Sequence, residues 1–358
     1  MSRRNPLFVP VEFQDMVDQL MLINEDYVKR YTSQILELEK YKIQHPTKML
    51  VFKCGDGRLL FAGFCETKLG YLRNFRNIGG KFNFGWKALR DVMTRMVQQA
   101  HDEKKGCLAI ITYHFSKGDN KHRGCAGHKY DIAASLAGAT GFKRQLERAY
   151  RGLEHQIIPI VVGIETDEEA LIFHNDHDEK VIDVAKLPTE ITEEEVFLLL
   201  SAQHAEMPLE MRLDLLPLIM GNIRHRAKVI ESKRPIVEME HNEWIIGVGG
   251  ATAFDFLHVP NTAIIVGQYN PNLEKVIRQA LGVIKNHWKP GKKFLSLAAA
   301  IYSSDKSKHL YEQHAMEDVR YYNRLTREVA QEYYRELVPH MHQVRALVDV
   351  ETQKMKRV

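Results

Sequence analysis

Two cysteines and a histidine stand where strands of an α/β sheet are expected to end. Apolar runs from Met49 to Lys53 and from Leu108 to Thr112 have the length and composition of buried strands. Cys54 follows the first run directly, His114 stands at the end of the second, and Cys125 follows after a polar loop. Because the carboxyl ends of parallel strands build sites along one edge of a sheet, we expect these three side chains to meet there.

This set of side chains is typical of an open zinc site. Two thiolates and one neutral imidazole give Zn²⁺ a formally neutral set of three ligands and leave a tetrahedral position for water or substrate. Asp56 and Arg58 follow Cys54 at alternate positions, which project to one side of an extended segment. Asp56 can accept a hydrogen bond from a water on the metal, and Arg58 can hold that carboxylate away from the metal. These residues therefore indicate chemistry through an acidified water.

The segments around this site alternate between strands and helices, which predicts a parallel sheet with crossover helices. Apolar residues at helical spacing predict helices over residues 11–45, 84–104, 130–152 and 193–231. Further strands are predicted over residues 59–64, 155–164, 170–174 and 180–184. Three histidines, His155, His174 and His177, lie in or near the last of these, where we expect a solvated polar hairpin rather than a metal site.

The second half of the chain resembles the first half. Ala298 to Ser303 aligns with the strand that ends at His114, and Trp244 to Val248 takes the place of the first strand. In this copy the strand ends carry Val248 or Gly249 and Ser303, so the metal ligands have been lost. We favour a duplication that kept the scaffold and lost the site. Chance similarity between two βαβ units is the alternative.

The composition is that of an ordinary soluble protein. Of the 358 residues 44% are hydrophobic, which is enough for one large or two medium domains. No apolar run approaches the roughly 20 residues of a membrane span, and no signal peptide is recognisable, so we expect a cytoplasmic protein without a membrane partner. The 50 basic and 46 acidic residues are mixed along the chain, which does not indicate a nucleic-acid partner. Four cysteines do not make a disulfide framework, and Cys65 and Cys107 are expected in the core.

Three motifs, in the same order, resemble those of the β-class carbonic anhydrases. Cys54-Gly55-Asp56-Gly57-Arg58 matches that family's Cys-x-Asp-x-Arg, and Arg76-Asn77-Ile78-Gly79 matches its Arg-Asn-x-Gly. A histidine then precedes Cys125-Ala126-Gly127, where the family has Cys-Gly-Gly, so Ala126 replaces the first glycine. The long spacing from His114 to Cys125 and the degenerate second copy most resemble the carboxysome shell branch. That branch has a helical N-terminal part, one working catalytic domain and a C-terminal domain that lost its zinc.

The resemblance implies a lyase that interconverts CO₂ and bicarbonate through hydroxide bound to zinc. It implies that Cys54, His114 and Cys125 bind Zn²⁺, that Asp56 orients the hydroxide, and that Arg58 holds Asp56.

Two histidines, His114 and His122, are candidates for the metal ligand. Most members of the family place the histidine three residues before the second cysteine, a spacing that His122 has, whereas His114 stands eleven residues before Cys125. We choose His114, because a strand end is a fixed position, and keep His122 as the alternative. With His114 as the ligand, His122 and His128 become candidates for proton transfer. Arg76 and Gly79 are expected to support the structure around the site.

The expected fold is α/β, with a β-carbonic-anhydrase-like parallel sheet, flanking helices and a degenerate second copy that forms a pseudo-dimer within one chain. The predicted parts are an N-terminal helical arm (1–48), a catalytic zinc-binding domain (49–192), linking helices (193–235) and a non-catalytic repeat (236–358). We expect such chains to form a homo-oligomer.

Two other functions stay open on the same residues. The first is hydrolysis of CS₂ or COS, linear molecules electronically similar to CO₂. The second is a non-catalytic scaffold whose zinc is structural and is closed by a fourth protein ligand. Attachment to a shell or to Rubisco is possible but is not supported by the short N-terminal extension. Location in a bacterial microcompartment such as a carboxysome also stays open as an alternative to the cytoplasm; we carry over the zinc site and not the compartment.

Overall fold

The protein is described here by a computed structural model, which covers residues 8–153, 156–175, 181–233, 235 and 239–358. The chain forms two compact units, each built around one β-sheet. The first comprises Met1–Ser33, Gly55–Gly57 and Asn242–Val358, and the second comprises Gln34–Cys54 and Arg58–His241. The predicted four-part division of the chain stays a prediction.

The α-helices are α1 (Gln14–Gln44), α2 (Phe61–Phe64), α3 (Lys87–Asp102), α4 (Asn120–Arg123), α5 (Ile132–Ala149), α6 (Glu193–Gln203), α7 (Leu209–Ser232), α8 (Leu273–His287) and α9 (Glu312–Tyr333). The strands are β1 (Lys48–Cys54), β2 (Leu72–Asn77), β3 (Cys107–Phe115), β4 (Ile157–Glu165), β5 (Ala170–His174), β6 (Val181–Asp183), β7 (Ile245–Gly249), β8 (Ala263–Gly267), β9 (Phe294–Tyr302), β10 (Met341–Asp349) and β11 (Met355–Arg357). Within the described ranges, no helix is long and apolar enough to cross a membrane.

The sheet of the second unit has the order β2-β1-β3-β4-β5-β6. Strands β1 to β4 are parallel, and β5 and β6 continue the sheet in antiparallel fashion. β1 and β3 are buried along nearly their whole length, as expected of parallel strands covered on both faces. Both run in the same direction, so their carboxyl ends, which carry Cys54 and His114, lie at one edge of the sheet.

The crossover helices of this unit follow from their sequences. α3 buries Leu89, Met93, Val97 and Ala100, which recur every three or four residues and so form one apolar face. α5 begins where the side chain of Asp131 accepts a hydrogen bond from the N–H of Ala134, a standard helix N-cap. Because Asp131 stands six residues after Cys125, this cap also sets the end of the loop that carries the cysteine.

The sheet of the first unit repeats this topology. Its order is β11-β10-β9-β7-β8, with β7 to β10 parallel and β11 antiparallel. The parallel strands β8-β7-β9-β10 therefore occupy the order of β2-β1-β3-β4. α8 connects β8 to β9 as α3 connects β2 to β3, and α9 connects β9 to β10 as α5 connects β3 to β4. The predicted mixed α/β fold with a second copy of the parallel sheet is confirmed at this level.

Two local predictions are wrong. Residues 59–64 do not form a strand: the chain turns after β1, Phe61 and Phe64 are buried on the single helical turn α2, and β2 is the neighbouring strand. The turn is stabilised from within the sheet, because the buried ammonium of Lys53 donates to the carbonyl of Leu59. His174 is not solvated but buried on β5, where its Nε2 lies 3.0 Å from the hydroxyl of Tyr113. His155 and His177 lie outside the described residues.

Candidate metal centre

Three side chains meet at the carboxyl edge of the second unit's sheet. One Sγ atom each from Cys54 and Cys125 and one ring nitrogen of His114 all lie within 4.8 Å of one another. Cys54 is the last residue of β1, His114 is the last but one of β3, and Cys125 comes from the loop after β3. The three residues are buried, with exposed fractions of 6%, 2% and 2% for Cys54, His114 and Cys125.

The donor set fits Zn²⁺. Tetrahedral zinc has bonds of about 2.3 Å to sulfur and about 2.0 Å to imidazole nitrogen, which separates its ligand atoms by about 4 Å. The three atoms are close enough to fill three of the four positions of that tetrahedron. Two thiolates in a buried place need a compensating cation. The arrangement can therefore hold a divalent ion and present it to a small molecule.

The turn after β2 supplies a hydrogen bond to one of the thiols. The N–H of Gly79 donates to Sγ of Cys54 over 3.1 Å. Gly79 and Gly80 have φ values of +73° and +61°, a region that side chains strongly disfavour, so the two glycines permit the turn. A donor aimed at the sulfur favours its charged form, which is the form that binds metal. The structure thus places Gly79 where it can tune a thiolate ligand.

Asn77, inside the Arg76-Asn77-Ile78-Gly79 motif, closes the same turn. It stands opposite Cys54 in the register of β1 and β2, and its Nδ2 donates to the carbonyl of Lys81 over 2.6 Å. Arg76 precedes it on β2 and is buried, with 3% of its surface exposed. The supporting role of Arg76 stays a prediction.

The loop that carries Cys125 packs backbone against backbone on this turn. A Cβ atom built on Gly127 would lie 2.4 Å from the Cα of Gly79, so a side chain cannot be added there without a shift. The ammonium of Lys81 donates to the carbonyl of Gly127. Ala126 lies in a 3₁₀ turn, Ala126–His128, whose conformation alanine accepts. Replacement of the family's first glycine by Ala126 is therefore compatible with the site, whereas the second glycine is required by the close contact.

His128 adjoins the candidate centre without belonging to the three-residue cluster. Its Nε2 lies 2.9 Å from the carbonyl oxygen of Gly79 and donates to it, which leaves Nδ1 to exchange a proton in the neutral ring. Burial, and next the positive charge of Lys81, lower the pKa of His128 below its ordinary value. This lowered pKa favours the neutral ring, which is the form that can accept a proton.

His122 lies elsewhere. It is part of α4, its side chain is 76% exposed, and its Nδ1 lies 2.9 Å from a carboxylate oxygen of Asp119. The same aspartate caps α4 by accepting from the N–H of His122. His114 lies in the cluster of possible metal ligands and His122 does not, and the choice of His114 as the ligand stays a prediction.

The guanidinium of Arg58 donates hydrogen bonds to two residues that were not predicted from the sequence. Its Nη1 donates to the carbonyl of Met239 over 3.0 Å, and its Nη2 lies 3.0 Å from Nε2 of His241. Because a guanidinium can only donate, Nε2 of His241 accepts, so this ring carries its proton on Nδ1. Met239 and His241 lie about 180 residues along the chain from Arg58, and no local pattern marks them. Asp56 is buried, with 7% exposed, and its predicted pairing with Arg58 stays a prediction.

The corresponding strand ends of the first unit carry no such ligands. β7 ends at Gly249, where a Cβ atom would lie 1.8 Å from the carbonyl oxygen of Ala299, so no cysteine fits there. Ser303 follows the end of β9. Within the described ranges, the Cys/His/Cys cluster is thus found in one of the two sheets.

Comparison with known proteins finds a family model that matches part of the chain. Residues 86–212 match the family model of the carboxysome shell carbonic anhydrase, catalytic domain. The predicted resemblance is confirmed. His114 and Cys125 lie inside the matched range, and Cys54 precedes it.

Two curated relatives are carboxysome shell carbonic anhydrases. The chain is 34% identical over 133 residues to that of Hydrogenovibrio crunogenus (strain DSM 25203 / XCL-2), which is 34% of this chain and 25% of the relative. It is 28% identical over 138 residues to that of Prochlorococcus marinus (strain MIT 9313), which is 35% of this chain and 26% of the relative. The matched part thus spans about a quarter of the length of each relative. The solved structure of the β-carbonic anhydrase CcaA superposes with a TM-score of 0.34 and 13% identity, over 49% of this chain and 92% of that one.

Proposed function

We propose that this protein is a zinc-dependent carbonic anhydrase that interconverts CO₂ and bicarbonate. The observation that carries the proposal is the buried cluster of Cys54, His114 and Cys125. It coincides with the match of residues 86–212 to a carbonic anhydrase catalytic domain, which includes two of the three residues. Zinc, when bound, would lower the pKa of a water molecule towards neutrality, which is the chemistry that CO₂ hydration needs.

The side chains have separate roles in this proposal. Cys54, His114 and Cys125 would hold the metal, and the N–H of Gly79 would favour the thiolate of Cys54. Asp56 would orient the attacking oxygen through a hydrogen bond, and Arg58 would keep Asp56 from closing on the metal. The bonds from Arg58 to Met239 and His241 support this, because they limit where the guanidinium can move. His128 would accept the proton that hydration releases.

The same proposal covers the organisation of the chain. We propose that the catalytic part spans residues 49–192 and that residues 236–358 form the repeat without metal. The names of the relatives favour a carboxysome-like compartment, and a homo-oligomer is the expected assembly. Membrane and nucleic acid are not expected as partners.

Metal analysis and stopped-flow CO₂ hydration on the purified chain test this function. We expect about one zinc per chain, activity that a chelator removes and zinc restores, and loss of both metal and activity in Cys125→Ser. Cys107→Ser is the matched control, because Cys107 is equally buried on β3 and belongs to no cluster of metal ligands among the described residues. It should keep both.

Three results would overturn the proposal in different ways. A chain that binds no zinc would remove the metal site. A zinc-loaded chain that hydrolyses CS₂ or COS but does not hydrate CO₂ would assign the other substrate class. A zinc-loaded chain inactive on all three substrates across the pH range would indicate a scaffold with structural metal.

A further inference from the structure

The loop that delivers Cys125 is tied to the end of β4 by one carboxylate. Asp167 lies two residues beyond β4, and the hydroxyl of Ser116, directly after β3, lies 2.9 and 2.8 Å from its two carboxylate oxygens. The N–H of Gly118 donates to the same carboxylate over 2.7 Å, and a guanidinium nitrogen of Arg123 lies 3.5 Å from it. The Asp167 carboxylate thus contacts residues at both ends of the segment 116–123.

The fit around this carboxylate is tight. A Cβ atom on Gly118 would lie 2.6 Å from Nη2 of Arg123 and 2.9 Å from Oδ2 of Asp167. Ser116 is 2% exposed, and the side chains of Asp167 and Arg123 are 18% and 11% exposed. Charge-assisted hydrogen bonds shielded from solvent to this degree are stronger than those between neutral surface groups.

The side chain of Asn120 restrains the backbone on both sides of Cys125. Its side-chain oxygen accepts from the N–H of Ser116 over 3.2 Å, and its amide donates to the carbonyl of Tyr130. Ser116 precedes Cys125 and Tyr130 follows it, so the backbone on both sides of the cysteine is connected through one side chain. Cys125 therefore stands on a loop with restraints at both ends, although it lies on no strand or helix.

The first unit has a similar arrangement of a serine, a carboxylate and a cation, at strand ends that lack the candidate metal ligands. Ser303 directly follows β9, and its hydroxyl donates to a carboxylate oxygen of Glu351 over 2.7 Å. Glu351 lies two residues beyond β10, which pairs with β9 as β4 pairs with β3. The ammonium of Lys308 lies 2.8 Å from this carboxylate, in the place of Arg123. A serine, a carboxylate and a cation thus recur at matching positions of two sheets.

We propose that Asp167, together with Ser116 and Arg123, is a positioning group for the metal ligand Cys125. The repeat has a similar arrangement at strand ends that lack the Cys/His/Cys cluster, so the arrangement does not depend on those three residues. Without it, Cys54 and His114 would stay in place on their strands while the loop of Cys125 lost one of its restraints. This inference rests on the proposed zinc site and adds the residues that organise it.

Metal binding by Asp167→Ala tests the inference, with Glu351→Ala as the matched control in the repeat. We expect Asp167→Ala to bind zinc about 10 to 100-fold more weakly, the usual effect of removing a residue that orients a metal ligand. Glu351→Ala should bind zinc as the unaltered chain does, even if it loses similar thermal stability. Affinities are measured by competition with a chromogenic chelator.

Cobalt substitution separates positioning from general destabilisation. The charge-transfer absorption of Co²⁺ counts its thiolate ligands, so the unaltered chain should show two and Asp167→Ala fewer. Asp167→Glu should recover part of the signal, and Ser116→Ala is the milder variant if Asp167→Ala does not fold. Unchanged zinc affinity and a full two-thiolate spectrum in the folded variants would overturn the inference. Absence of metal binding by the unaltered chain would instead overturn the proposed site, and this inference with it.

Discussion

Adding a methyl group at Gly127 tests how the candidate centre is built. In Gly127→Ala the new Cβ would lie 2.4 Å from the Cα and 2.6 Å from the N of Gly79, both backbone atoms that cannot rotate away. Ordinary contact begins at 3.4 Å, so Gly79 and the Cys125 loop must separate by about 1 Å, a strain that in a packed interior costs roughly 1–3 kcal/mol.

That movement reaches Cys54, one of the proposed metal ligands. The N–H of Gly79 donates to Cys54 over 3.1 Å, and a displacement of about 1 Å away from the sulfur would break this bond. A hydrogen bond to a charged group contributes about 1.5–3 kcal/mol, which corresponds to roughly 10 to 100-fold in zinc affinity. We expect Gly127→Ala to fold and to bind zinc that much more weakly.

The assay compares two glycine variants on the same unit. Gly141→Ala is the control, because Gly141 lies within α5 and a Cβ there meets nothing within 4 Å. It should raise stability by about 0.5–1 kcal/mol, since alanine is the better helix former, and leave zinc affinity unchanged. Zinc affinity by chelator competition and urea unfolding are measured for both. Equal zinc affinity in Gly127→Ala and the unaltered chain would refute the packing argument.

Three further outcomes are expected. His114→Ala should lose zinc, measured as metal content, while His122→Ala keeps it, because the ring of His122 is exposed beside Asp119; the reverse result would make His122 the ligand. His128→Ala should lower CO₂ hydration in dilute buffer, measured by stopped flow, and added imidazole should restore it; a rate independent of this change would remove the proton-transfer role. Burial raises the pKa of Glu351, but the hydrogen bonds of Lys308 and other groups together outweigh burial and lower this pKa to about 2. The stabilisation by the Glu351 carboxylate is therefore present at neutral pH and fades as pH falls from about 5 towards 2. In urea unfolding, Glu351→Gln should therefore be less stable than the unaltered chain at pH 7 by a margin that shrinks at pH 4, and a constant margin would contradict this.

Much of the fold could be predicted because strands and helices leave local patterns of apolar residues in the sequence. Buried parallel strands consist of continuous apolar runs. The strands predicted from the runs that begin at Met49 and Leu108 correspond to β1 and β3 of the structure. Helices α6 and α7, divided at Pro208, also agree with the predicted helical spacing. One of the two wrong local predictions was Leu59 to Phe64, where an apolar run of strand length forms a buried helical turn. Length and hydrophobicity alone do not separate these two outcomes.

The sequence alone determined which residue types could do chemistry and which strand ends would carry them. Cys54 and His114 could be assigned to one edge because parallel strands share a direction, a rule that needs no coordinates. The tertiary structure decided what depends on contacts between distant segments. It places Cys125 close to Cys54 and His114, and it forms the hydrogen bond from the N–H of Gly79 to the sulfur of Cys54. It also forms the hydrogen bonds from Arg58 to Met239 and His241 and the one from Ser116 to Asp167. The hydrogen bonds among these contacts join residues 25 to 183 positions apart, and they exist only once the packing of the whole unit fixes the backbone.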